Sequence, residues 1–225
     1  MVSQNRKKQR RLNYIEPVER IYIFCEGEQT ELLYFNGFVK EIKKNPIYKN
    51  TVFIEVIGVA KETLRVVEYA EKYVEQKKIK NANIWCVYDK DSFPEKDFNE
   101  AEYKLSRLNK GENKYYAAWS NQCVEYWFIL HFDYYISDND RSYYRKYLHD
   151  KFANIGWGRY QKNNEELFGI LLEHGNPKQA IVWAKRRIND FSGCTPSKSA
   201  PATKVYELVL ALSKYLPEEI KNKFI

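Results

Sequence analysis

Two short stretches of the chain hold residues able to do chemistry, Ile21-Tyr22-Ile23-Phe24-Cys25-Glu26-Gly27 and Ile84-Trp85-Cys86-Val87-Tyr88-Asp89-Lys90-Asp91. Each is an apolar run of strand character that ends in carboxylates. If the two strands lie parallel and side by side, Glu26, Asp89 and Asp91 meet at one edge of a sheet. Residues two apart on a strand face the same way, so Asp89 and Asp91 are expected to project together while Lys90 points elsewhere. Three carboxylates in a small space repel one another unless a cation neutralises them. An all-oxygen donor set suits Mg²⁺, with Mn²⁺ as a substitute, and such ions serve phosphate-ester chemistry. An acidic turn without an ion is the plainer reading of Asp89 and Asp91 taken alone. No GxxxxGK-type phosphate loop competes with the acids, and the three histidines show no zinc spacing.

The elements that must position these acids follow from apolar periodicity. Residues 20–25 are nearly continuously apolar, as in a central strand covered on both faces. Gly27 allows a turn, and Thr30-Glu31 opens a helix with Leu32, Leu33, Phe35, Phe38, Val39 and Ile42 at helical spacing, ended by Asn45-Pro46. A second strand is predicted over 51–57, an amphipathic helix over 61–78 and a third strand over 84–89. This β-α-β-α-β order calls for a mainly parallel sheet with helices on both faces. Beyond Asp91 the pattern predicts a helix over 94–108, a short strand over 115–118, and a helix capped by Ser120 that holds Val124, Trp127, Phe128, Leu130 and His131. Helical periodicity returns at 167–172, 180–188 and 205–212, with a loop over 191–201. The expected organisation is a basic, disordered head over 1–19, an α/β core over 20–133 and a helical C-terminal region over 134–225 packed on that core.

The chain has 225 residues, 44% of them hydrophobic and 30% charged, which is the composition of a globular domain with a real core. A net charge of +7 favours a polyanionic partner, although Arg6, Lys7, Lys8, Arg10 and Arg11 in the head supply part of it. The four cysteines are too dispersed for a zinc pair and too few for a disulfide scaffold, which points to a reducing cytoplasm. No apolar run is long enough to span a membrane, and the head is not followed by a signal-peptide core.

At Cys25-Glu26-Gly27-Glu28-Gln29-Thr30-Glu31, Tyr34-Phe35 and Asp89-Lys90-Asp91 the sequence resembles the TOPRIM catalytic module of primases, topoisomerases and OLD-type nucleases, and within that group the RloB-like family. The family's Ser-Asn-Pro-x-Phe-Glu-x-Trp-x-x-x-His-Phe stretch reads here Ser120-Asn121-Gln122-Cys123-Val124-Glu125-Tyr126-Trp127-Phe128-Ile129-Leu130-His131-Phe132, with Gln122 and Val124 departing from the usual Pro and Phe. A fainter match covers Pro201-Ala202-Thr203-Lys204-Val205-Tyr206. The resemblance implies a TOPRIM-like α/β core in which Glu26 is the acid beside the reacting phosphate and Asp89 and Asp91 hold Mg²⁺. It further implies Glu31 and Glu125 as candidates for a second ion or its water shell, Lys204 as a phosphate contact, and a partner ATPase encoded alongside.

Nineteen tyrosines and five tryptophans alternate with cations in Tyr143-Tyr144-Arg145-Lys146-Tyr147 and Trp157-Gly158-Arg159-Tyr160. Arg145, Lys146 and Arg159 could bind phosphates while the rings stack on bases; a core or protein interface built from aromatics accounts for the same pattern. The leading expectation is a cytoplasmic, Mg²⁺-dependent nuclease acting on RNA such as tRNA, or on DNA, as effector of a bacterial anti-phage, abortive-infection system. It would work with a partner ATPase, as a homo-oligomer and away from membranes. The alternatives are a primase-like nucleotidyl transferase and a non-catalytic nucleic-acid-binding or regulatory subunit.

Overall fold

The computed structural model describes residues 19–225; the expected head, apart from Glu19, lies outside them. The element order is β1 (Glu19–Cys25), α1 (Thr30–Ile42), β2 (Val52–Gly58), α2 (Thr63–Gln76), β3 (Asn83–Asp89), α3 (Glu95–Leu108), β4 (Lys114–Asn121), α4 (Glu125–Ile129), α5 (Arg141–Asn154), α6 (Leu167–His174), α7 (Pro177–Asp190), a 3₁₀ turn (Pro196–Lys198), β5 (Ala202–Thr203), α8 (Val205–Ser213) and α9 (Glu218–Lys221). The five strands form one sheet in the order β2-β1-β3-β4-β5. β1 pairs in parallel with β2 and β3, and β3 with β4, whereas β5 runs antiparallel to β4. The expected α/β class, a mainly parallel sheet flanked by helices, is therefore the observed one.

The strands bury both faces, and their side chains divide by period two. Ile21, Ile23, Trp85 and Val87 pack with α1 and α4–α8, while Tyr22, Phe24, Ile84, Cys86 and Tyr88 pack with α2 and α3. Chain direction thus sends α1 to one face and α2 to the other, and the strand order reverses between β1 and β3. That reversal leaves a crevice at the carboxyl ends of these two strands, where α/β sheets place their ligands. By the same parity Asp89 belongs with Trp85 and Val87, on the face that carries the C-terminal helices.

Two sequence expectations change. Ser120 caps no helix: it lies in β4, opposite Thr203, with the two hydroxyl oxygens 2.9 Å apart, and the short helix that follows begins only at Glu125. The segment after the 191–201 loop is not purely helical, because Ala202–Thr203 returns to the sheet as an edge strand. The C-terminal region is bound to the rest by more than this strand. Asn45 Nδ2 donates to the carbonyls of Tyr215 and Leu216, and Gly37 on α1 lies so close to Phe168 on α6 that an added Cβ would sit 2.3 Å from the Phe168 Cβ. Only glycine lets the two helices approach to this distance.

Candidate functional site

The site begins with how β1 and β3 end. Glu26 follows the last β1 residue, and its amide donates to the Val87 carbonyl at 2.9 Å. Its own Oε2 accepts the Asp89 amide at 3.2 Å, so the two acids are tied across the strand ends. Asp89 is held from three further sides. Val124 N donates to Asp89 Oδ2 at 3.1 Å, Thr63 Oγ1 at the start of α2 donates to the Asp89 carbonyl at 3.1 Å, and the Lys90 amide reaches the Ser120 carbonyl at 2.9 Å.

Asp91 arrives by a different route from the one expected. It is not the next outward position of a strand, because β3 stops at Asp89; Asp91 sits in a turn with φ +39°, and its amide donates to Gln122 O at 2.9 Å. Left-handed backbone is tolerated by aspartate better than by most residues, and such conformations gather at functional sites. The acids nevertheless come together in one place. Glu26, Glu31, Asp89 and Asp91 line a single open pocket of about 320 Å³ together with Gly27, Glu28, Gln29, Thr30 and Lys162. A Cβ on Gly27 would stand 2.7 Å from Glu31 Oε2, so the glycine makes room for that carboxylate.

Burial and mutual repulsion dominate the electrostatics of this pocket. Burial first, then the charges of Glu31 and Asp91, push Glu26 up to about 8, against the Asp89 amide, which favours the ionised form. Glu31, buried at the first turn of α1, is raised to about 6 by burial and by Glu125 and Asp91, with its own main-chain amide and Lys162 opposing. Asp89 is held well above the usual carboxylate range by burial and then by Glu31, Glu26, Glu125 and Asp91.

Glu125 is 1% exposed and does not line the pocket, but its charge acts on Glu31 and Asp89. Arg145 Nε lies 3.1 Å from its Oε1, and Lys162 Nζ 3.8 Å from the same oxygen. Arg141 Nη1 lies 2.8 Å from Asp91 Oδ2. Two oxygens remain unpaired: Asp89 Oδ1 and Asp91 Oδ1 are buried and have no hydrogen-bond partner among the described residues.

Among the described residues, no three His, Cys, Asp or Glu side chains stand ready-made around a common ion position. The chemistry of the donor set still fits a hard divalent cation. Every candidate ligand is a carboxylate, two of their oxygens are orphaned, and the raised proton affinities mark negative charge that the protein itself does not fully neutralise. Asp89 and Asp91 would hold such an ion, with Glu26 and Glu31 beside them.

Other sequence candidates lie elsewhere. Lys204, expected at the phosphate, pairs instead with Glu102 of α3 and stands over the Trp119 ring, lining a separate cavity with Phe191 and Cys194. It follows β5 directly, and its amide donates to the Trp119 carbonyl of β4 at 2.8 Å. Lys146 and Arg159 are exposed and do not line the pocket, while Arg145, expected with them as a nucleic-acid contact, is paired with Glu125. Of the neighbouring aromatics, Tyr144 and Tyr160 are core, and Tyr143 and Trp157 remain exposed. His131 is buried with Nδ1 3.0 Å from the Trp127 carbonyl, and burial lowers it to about 4, so it is a neutral packing residue. Cys25, Cys86 and Cys123 are buried, which pushes their thiols up and leaves them without thiolate character.

Sequence reasoning missed Arg141 and Lys162. The i, i+4 spacing of Arg141 and Arg145 on α5 was a usable signal, since both must share one helix face; nothing local marks Lys162. No helix of the described residues is long and apolar enough to cross a membrane. No curated protein and no solved structure matches the chain. The family profile described as RloB-like protein matches residues 21–212. With this match covering most of its length, the chain belongs to the RloB-like protein family.

Proposed function

We propose that this protein is a Mg²⁺-dependent nuclease of TOPRIM type, hydrolysing phosphodiesters in RNA such as tRNA, or in DNA, and acting in the cytoplasm as an effector of bacterial anti-phage defence with a partner ATPase. The observation that carries this reading is the convergence of Glu26, Glu31, Asp89 and Asp91 on one open pocket at the carboxyl ends of β1 and β3. A bound Mg²⁺ supplies charge neutralisation at the phosphate and a more acidic water. The chain's own residues do the rest. Asp89 is fixed by the Val124 and Thr63 hydrogen bonds, and Glu26 is oriented by the Asp89 amide. The pocket is open and Lys162 lines it beside the acids, a form that suits a strand better than a small enclosed ligand. RloB-like membership supports the defence setting as a resemblance between proteins.

The test is incubation of the chain with RNA and DNA pools, tRNA included, in Mg²⁺, Mn²⁺ or chelator, alongside the Asp89→Asn and Glu26→Gln variants. Metal-dependent fragments from the parent and none from the variants are expected; equal fragments from all three overturn the assignment. Incorporation of labelled nucleotides instead would favour the primase-like alternative. The ion pairs on Asp91 and Glu125 favour one further reading, a regulatory subunit whose acids hold structure, and that reading predicts no cleavage by the parent and a large loss of melting temperature in the Asp89 variant.

A further inference from the structure

Three cations reach the acidic pocket from the region that follows the α/β core. Arg141 opens α5 and holds Asp91 Oδ2 at 2.8 Å; Arg145, one turn later on the same face, holds Glu125 Oε1 at 3.1 Å; Lys162 stands 3.8 Å from that oxygen and lines the pocket. Beside them the hydroxyl of Tyr160, a residue 3% exposed, is buried with no hydrogen-bond partner among the described residues. α5 itself gives Arg141 no reason to be there, since a helix N-terminus repels cations and attracts anions. Asp91 is the one carboxylate at ion-pair distance from it among the described residues, while the neighbouring cap Asp140 feels its charge without pairing. The Arg141 side chain is 44% exposed, so its bond is of the surface kind, weak enough to exchange. Arginine, with its planar fork of donors, matches a phosphate as well as it matches a carboxylate.

We propose that Arg141, Arg145 and Lys162 form the phosphate-binding half of the site: they hold Asp91 and Glu125 in the metal-free protein and turn to a nucleic-acid phosphate when a divalent cation takes the carboxylates. This inference rests on the metal-dependent reading above. It explains why a positive helix end, two arginines on one face and a lysine all converge on a pocket that already lacks room for more negative charge. It also gives Arg141 two opposite effects, competing with the ion for Asp91 and attracting the strand.

The test uses the full chain and two probes, Mn²⁺ alone by calorimetric titration and a labelled single-stranded oligonucleotide in Ca²⁺ at several salt concentrations. Arg141→Gln should take Mn²⁺ about 2- to 5-fold more tightly, the range expected on removing one exposed competing ion pair. The same variant should bind the oligonucleotide more weakly, with a salt slope smaller by about one phosphate contact. Lys162→Gln serves as the second variant, lowering the slope in the same way, and decides the matter if Arg141→Gln does not fold. An unchanged or weaker Mn²⁺ affinity in Arg141→Gln, or an unchanged slope in the folded variants, overturns this proposal alone. A parent that takes up no Mn²⁺ overturns the metal-site reading, and this inference with it.

Discussion

Glu26→Gln should make the metal-free protein more stable at alkaline pH and leave it nearly unchanged in acid. Glutamine keeps an oxygen for the Asp89 amide, so the hydrogen bond at 3.2 Å survives and only the charge is removed. In the folded chain Glu26 keeps its proton up to about 8, whereas the unfolded chain loses it near the ordinary value of 4.5. Between those values the native state binds more protons, so the stability present below the unfolded value is lost as pH rises toward 8. At about 1.4 kcal/mol per pH unit, ionising this group in the fold costs roughly 4 kcal/mol at pH 8. Solvent reaching the open pocket reduces this to roughly 2–4 kcal/mol. A chain of this size gains about 2–4 °C in Tm per kcal/mol, so the variant should melt on the order of 5–10 °C above the parent at pH 8 in chelator. The two should converge below about pH 4.5, where Glu26 is protonated in the unfolded chain as well as in the native parent. Mn²⁺ should then raise the parent more than the variant, because the ion binds the folded form through the charge that glutamine lacks. Thermal melts across this pH range, with chelator and with Mn²⁺, provide the measurement. Parallel pH curves for parent and variant would refute the placement of Glu26 in a repelling carboxylate group.

Asp89→Ala should abolish metal-dependent cleavage while the protein stays folded, since the lost Val124 hydrogen bond is offset by relief of repulsion; loss of the circular dichroism signal would contradict this. Gly37→Ala should cost roughly 1–3 kcal/mol by overpacking α1 against Phe168 while leaving Mn²⁺ affinity intact, read from denaturant melts and titration. Arg145→Ala leaves Glu125 buried with Lys162 alone as partner and should destabilise by roughly 2–4 kcal/mol at neutral pH, whereas exchanging exposed Lys146 and Arg159 for Gln should change the melt by under about 0.5 kcal/mol. Lys204→Ala should leave both Mn²⁺ affinity and cleavage at parental levels, because the residue is paired with Glu102; a large loss of cleavage would return it to the site.

The sheet and the acids at its carboxyl edge were legible in the amino-acid order. Residues 21–25 and 84–88 are apolar without interruption, and such runs survive only when both faces are covered, which makes them the central strands β1 and β3. A carboxylate directly after each run must leave the core at the same end once the strands are parallel, so Glu26 and Asp89 were fated to meet. Glu31 joined them for a local reason, lying in the first turn of α1, four residues past a glycine that clears its path.

The rest depended on contacts between residues far apart in sequence. Ser120 has the character of a helix cap, yet a partner 83 positions away draws it into a strand, and a two-residue strand such as β5 has no periodicity to betray it. Asp91 reaches the pocket through a left-handed turn secured by Gln122, not through strand alternation. Lys204 and Arg141 are both basic residues at the start of a helix, and nothing local separates the one that faces Glu102 from the one that faces Asp91. Strand parity and sheet order choose the edge at which the acids gather, because they act through nearest-neighbour geometry. The rotation of α5 and the antiparallel return of β5 choose which cation meets which acid, because that choice is made by packing across the whole molecule.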